Sequence, residues 1–157
     1  MLNLIIHNQS EDQKKAVDVI ASENIRILEE AKAGETCYAD SQGWIDTEEW
    51  AGEENIKRLE EIAKEIRENA DAFVLIGVGG SNNAARSVIE ALRKDDAPEI
   101  IYAGNTLSPD AMNRMMKRLE GKSIYIDCIA KNFETLEPGS SFRILRKYME
   151  KTYGEEA

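Results

Sequence analysis

The sequence predicts an α/β fold, with helices on both faces of a parallel sheet and further helices ahead of it. Three observations carry this. The second half alternates short apolar runs with helix-periodic stretches, which is the pattern of an open α/β sheet. The runs Ala72–Ile76, Glu99–Ala103 and Ser123–Ala130 are rich in aliphatic, β-branched and aromatic residues, as strands buried on both faces are. The first half has no such run and repeats its apolar residues at helical spacing. One domain is expected over residues 1–157, with 1–71 as a helical segment and 72–157 as the βα core.

Each element has its own signal. A helix is predicted from Glu11 to Ala33, where Ala16, Val19, Ile20, Ile27, Leu28 and Ala31 form a stripe. Ser10 reads as its N-cap and Gly34 as its stop. Residues 35–46 read as a loop, with Asp40-Ser41-Gln42-Gly43 as a turn. A second helix is predicted from Thr47 to Asn69, with Ile56, Leu59, Ile62, Ala63 and Ile66 as its stripe. Glu53/Lys57, Glu54/Arg58 and Glu60/Lys64 are spaced for ion pairs along it. The first strand follows, then a helix from about Asn83 to Arg93. After the second strand, Ser108-Pro109 opens a helix that ends near Leu119 and Gly121. The last helix starts near Thr135 or Pro138 and ends by Tyr153-Gly154. Met1–His7 reads as a short edge strand, with His7 a surface residue.

Thirty acidic residues against twenty Lys plus Arg give a net charge of −10. Such a surface repels nucleic acid and anionic membranes, so an anionic ligand must be held by local donors. Cys37 and Cys128 are the only cysteines. Two distant thiols make neither a disulfide framework nor a zinc site, and the expectation is reduced thiols in a cytoplasmic protein without a metal. No run of eighteen apolar residues and no leader pattern is present.

Chemistry is expected where strands end and helices begin, because ligands of open α/β sheets bind at that edge. Gly77-Val78-Gly79-Gly80-Ser81 joins the first strand to the next helix. Its glycines allow a sharp turn and a close backbone approach. A helix N-terminus offers free N–H groups to an anion, and Ser81 adds a hydroxyl. The plain alternative is a tight turn without a ligand. The loop is not a dinucleotide fingerprint, since Asn82 stands where the third glycine belongs, and no Gly-Lys-Ser/Thr follows for a P-loop. No cofactor is implied.

Phe73–Ser81 resembles the F-V-V-I-G-I-G-G-S motif of the glucose-6-phosphate isomerases. The resemblance continues through Ala85–Leu92, Ile101–Pro109, Leu119–Lys122, Glu137-Pro138, Phe142–Lys147 and Tyr153-Gly154, and Gly43-Trp44-Ile45-Asp46 resembles an upstream Gly-Trp-Val-Asp. It covers roughly residues 34–157 and implies a three-layer sugar isomerase (SIS) fold with a flavodoxin-like parallel sheet. It also implies a phosphosugar site built from two loops. One is Gly79-Gly80-Ser81. The other is Ala130–Pro138, where Lys131, Thr135 and Glu137 match the family and Asn132 can still donate through its amide. Ala130, Asn132 and Glu134 replace three hydroxyl residues, and a carboxylate at 134 repels a phosphate unless it points away. In the first loop Ala84 replaces a glycine, and Asn82-Asn83 is unusual.

The family's catalytic glutamate, histidine and late lysine fall beyond Ala157, so the resemblance implies a truncated domain with no catalytic residue in this chain. Three readings stay open: part of a split isomerase, a phosphosugar sensor without catalysis, or a decayed fragment. Expected ligands are a sugar phosphate or a phosphate or sulfate anion. Trp44 and Trp50 read as packing residues around the Gly-Trp turn. The third strand, apolar on both faces, is expected at a sheet edge, where it would pair with a second copy, a missing C-terminal segment or Met1–His7.

Overall fold

The computed structural model describes residues 7–35, 43–45, 47–94, 97–131 and 134–155. The chain divides into two compact units, residues 1–57 and 58–157. The predicted strand at Met1–His7 lies outside the described residues except for His7, which is an exposed turn residue. Cys37, Asp40-Ser41-Gln42 and Asp46 lie outside them as well.

The first unit opens with α1 (Glu11–Lys32). A capping box closes its start: Gln13 N–H donates to Ser10 Oγ at 3.2 Å, and Ser10 N–H to Gln13 Oε1 at 2.9 Å. Gly34, at φ +73°, stops the helix as predicted. The apolar stripe is present but not covered; α1 buries none of its residues, and Leu28 is 66% exposed. The helix predicted over 47–69 is two helices, α2 (Thr47–Trp50) and α3 (Glu53–Asn69). They part at Gly52, which restarts the hydrogen-bond ladder by accepting from Ile56 N–H at 3.0 Å. A Cβ on residue 52 would sit 3.0 Å from the Glu48 carbonyl oxygen, a close contact that glycine avoids. Of the predicted ion pairs, Glu53–Lys57 forms at 2.8 Å, while Lys64 pairs with Glu68 instead of Glu60. Trp50 donates from Nε1 to the Gly43 carbonyl at 2.8 Å, but both it and Trp44 are largely exposed, so neither is a buried packing residue.

The second unit holds the sheet. Its strands are β1 (Ala72–Ile76), β2 (Glu99–Ala103) and β3 (Ile124–Cys128), in the order β2-β1-β3 and all parallel. With the part of α3 from Arg58 onward, three more helices complete it: α4 (Gly80–Leu92), α5 (Pro109–Leu119) and α6 (Leu136–Tyr153). The predicted three-layer α/β class is the one observed. On one face Ala72, Val74 and Ile76 of β1 pack with Ile101, Ala103 and Ile124 beneath Met115, Leu119 and Leu145 of α5 and α6. Each of the Val, Ile, Leu and Met side chains contributes about 1.5–3 kcal/mol by leaving water, the alanines less. On the other face Phe73 lies beside Ile66 of α3 and Ile89 of α4.

Two boundaries differ from expectation. α4 begins at Gly80, three residues early, because the glycine loop itself starts the helix. β3 is shorter than Ser123–Ala130 and is not buried on both faces: Ile124 is buried, Tyr125, Ile126 and Cys128 are half-buried, and Asp127 is exposed. The cause is position, since among the described residues β3 pairs only with β1.

Candidate functional site

The three strands run in one direction, so Ile76, Ala103 and Cys128 lie side by side at one edge. Ile129 N–H reaches back to the Ile76 carbonyl at 2.9 Å, and Gly77 N–H donates to the Ala103 carbonyl at 3.0 Å. These bonds fix the loops that leave β1 and β3. Gly77 is buried, and a Cβ there would meet the Ser81 carbonyl carbon and oxygen at 3.0 Å. Gly79 is the N-cap of α4 at φ +58°, ψ −128°, a region closed to side-chain-bearing residues. Its carbonyl accepts from both Asn82 N–H (3.2 Å) and Asn83 N–H (2.8 Å).

The N-cap of α4 is Gly79, which has no side chain to cap with, and no side-chain cap bond is made there among the described residues. At α6 the N-cap Thr135 makes no side-chain cap bond either. The contrast with α1 and α5 is direct, since Ser10 and Ser108 cap those helices through their hydroxyls. The starts of α4 and α6 border one cavity of about 340 Å³. Val78 and Ser81 line it from the first loop; Lys131, Glu134, Thr135 and Pro138 line it from the second. Pro138 has no N–H to leave unsatisfied in the first turn of α6. The cavity thus meets two helix N-termini, two hydroxyls and one ammonium, a set of donors suited to an oxyanion. A larger groove, about 670 Å³, runs along β3 and α6 beside Ile126, Phe142 and Tyr153 and has no helix start in its walls.

Of the residues predicted from sequence, Ser81, Lys131 and Thr135 meet at the cavity. Gly79 and Gly80 form the exposed turn that starts α4. Asn132 lies outside the described residues. Glu134, flagged as a departure, also lines the cavity. Sequence reasoning took Asn82 only as part of an unusual helix start, Asn82-Asn83, beside the expected anion; it is 2% exposed, and its Nδ2 has no hydrogen-bond partner among the described residues. A buried, unsatisfied amide costs about 1–3 kcal/mol. The only sequence signal was its unusual place after Gly-Gly-Ser.

Among the described residues no cysteine or histidine lines the cavity. Burial, with Asp127 alongside, pushes the Cys128 thiol up and away from thiolate. Among the described residues no three His, Cys, Asp or Glu side chains gather to hold a metal ion, and no helix is long and apolar enough to cross a membrane.

No family model matches the chain. Curated relatives do. Glucose-6-phosphate isomerase of Clostridium perfringens (strain SM101 / Type A) is 33% identical over 92% of this chain and 36% of its own length. The enzyme of that name from Staphylococcus saprophyticus is 35% identical over 88% of this chain and 32% of its own. That from Symbiobacterium thermophilum is 36% identical over 73% and 28%. The chain thus spans about a third of the length of these relatives. A crystal structure of a hypothetical protein from Thermus thermophilus superposes with a TM-score of 0.65 at 20% identity, over 88% of this chain and 33% of that one, which shows the fold alone. By its sequence similarity along most of its length, the chain belongs to the glucose-6-phosphate isomerase family.

Proposed function

We propose that this chain is a phosphosugar-binding SIS domain of the glucose-6-phosphate isomerase type, acting in the cytoplasm within glycolysis and gluconeogenesis. One observation carries the reading: two uncapped helix starts border the same cavity as Ser81, Lys131 and Thr135. The phosphate of a hexose phosphate takes the N–H groups that begin α4 and α6. Lys131 supplies the balancing charge, and the two hydroxyls orient the ester oxygens. Aldose–ketose interconversion needs a positioned base for a proton moving between adjacent carbons. The resemblance puts that base outside these 157 residues, so the chain alone binds without turnover and becomes catalytic only with further residues. The outer edge of β3 is where a second copy or a complementary segment joins the sheet.

A sensing role without catalysis is favoured by the second loop, where Ala130 and Glu134 offer fewer donors than the family pattern. Both readings share one test. Titration with a hexose 6-phosphate, followed by NMR, should move the amides of residues 78–84 and 134–137. Unmoved amides there sink the binding reading. Turnover in a coupled assay that disappears in Lys131→Ala overturns the claim that the isolated chain does not isomerise.

A further inference from the structure

α3 and α4 do not close over the face of the sheet that they share. Between them lies a groove of about 410 Å³, within the size range of small-molecule sites. Phe73 of β1 and Ile100 of β2, partners in the strand register, form its half-buried floor. Val88 and Leu92, one turn apart on α4, line it while 59% and 73% exposed. Among the described residues its charged members are Arg67 and Arg93, and neither makes an ion pair. Both stand where a helix ends and a strand is about to begin: Arg67 in the last turn of α3, Arg93 as the C-cap of α4. Helix C-termini attract cations, which accounts for the place of each arginine but not for the apolar surface left open beside them. The groove is apolar along its length and cationic at one end. That end lies at the starts of the strands, away from the cavity at their ends.

We propose that this groove binds an alkyl chain ending in a carboxylate, with the chain laid over Phe73 and Ile100 and the head held by Arg67 and Arg93. A guanidinium fork matches a planar carboxylate in a bidentate, charge-assisted pair. A methylene chain gains by leaving water for the floor and by covering Val88 and Leu92. The net charge of −10 repels anions in general, so such a ligand enters only where cations are local. The inference is independent of the phosphosugar reading, because the two sites share no residue.

The test titrates the full chain with octanoate, decanoate and decyltrimethylammonium, each below its micelle-forming concentration, followed by NMR. Decanoate should move the amides of residues 88–93 and 97–100 and leave those of 134–137 in place. It should bind up to about tenfold more tightly than octanoate, since two more methylenes leave water, and roughly tenfold more tightly than the cationic amphiphile. Arg67→Gln combined with Arg93→Gln, both exposed positions, should erase the preference for the anion. Leu92→Ser should weaken both amphiphiles alike. Unmoved amides along the groove, equal binding of decanoate and decyltrimethylammonium by the wild type, or an anion preference that survives in the double variant overturns the proposal. So does decanoate that moves the residues of β3 and α6 instead.

Discussion

Gly104 presses on the backbone of Gly77. A Cβ on Gly104 would lie 2.9 Å from the Gly77 nitrogen and 3.2 Å from its oxygen, and Gly104 itself sits at φ +83°. Gly104→Ala thus meets both a clash with backbone and a strained conformation. It should cost about 1–3 kcal/mol by chemical denaturation. Gly80 is the built-in contrast. It has ordinary φ, and nothing lies within 4 Å of a Cβ there. Gly80→Ala should be neutral or stabilise α4 by up to about 1 kcal/mol. Equal losses in the two variants would mean the loop tolerates side chains for reasons other than close packing.

Binding should depend on the cavity donors unequally. Lys131→Ala removes the ammonium, and a hydrogen bond to a charged group is worth about 1.5–3 kcal/mol, so affinity for a hexose phosphate should fall roughly ten- to hundredfold. Ser81→Ala and Thr135→Ala remove neutral donors and should each cost less. NMR titrations of the three variants check the ranking. A Ser81→Ala loss larger than that of Lys131→Ala would place the anion on α4 alone.

Much of this was legible in the sequence, because local chemistry and tertiary context agreed. β1 and β2 fall on the residues predicted for them, and Ser10, Ser108 and Gly34 play their expected parts at helix ends. The misses share a cause. Gly52 sits inside a helical pattern that continues on both sides, so periodicity hides the break that its backbone makes. The stripe of α1 is as periodic as that of a buried helix, yet nothing in the pattern says whether anything covers it. At the site, the motif names Ser81, Lys131 and Thr135. That Thr135 makes no cap bond at α6 is a property of backbone and rotamer, which residue identity leaves open, whereas the N-cap glycine of α4 has no side chain to cap with. The buried Asn82 Nδ2 belongs to the same class.

Stability should carry an acid-side signature from Glu99. Its carboxylate accepts from Lys122 Nζ and from both Nε and Nη2 of Arg118, and these bonds hold its pKa below the usual carboxylate value. A lowered folded value means the contribution is complete above the unfolded value and is lost as pH falls through the folded one. Glu99→Gln should therefore lose stability at neutral pH and converge with wild type in acid. The loss should be small, about 0–1 kcal/mol per pair, because these side chains are partly solvated. Asp127 works in the opposite sense. Although the residue is exposed by surface area, partial burial of its carboxyl desolvates it and raises its pKa. Its contribution therefore declines as pH rises through that window, and Asp127→Asn should be neutral or stabilising at neutral pH. Urea titrations across the acid range decide both. A Glu99→Gln deficit that persists unchanged in acid would show that packing, not charge, is what the substitution removed.

The open side of β3 sets the last expectation, for assembly. Among the described residues β3 pairs with β1 on one side only, and it borders the groove lined by Ile126, Phe142, Met149 and Tyr153. A strand edge with unpaired N–H and C=O groups beside half-buried apolar side chains is a template for another strand. Asp127 is its one charged residue. A two-fold pairing of β3 with itself, centred on Ile126, would set Tyr125 opposite Asp127 of the second copy and Ile124 opposite Cys128. No like charges then face each other, and phenol meets carboxylate. The net charge of −10 opposes association at low ionic strength, so pairing should strengthen as salt is added. Light scattering on the 157-residue chain should show a mass that rises with concentration and with salt. Ile126→Lys should hold the chain monomeric by placing an ammonium in the apolar groove. Asp127→Lys should weaken pairing less, since its lysine still faces Tyr125. A wild-type chain that stays monomeric at high concentration and high salt would show that β3 does not pair with itself, and that its edge is reserved for a different strand.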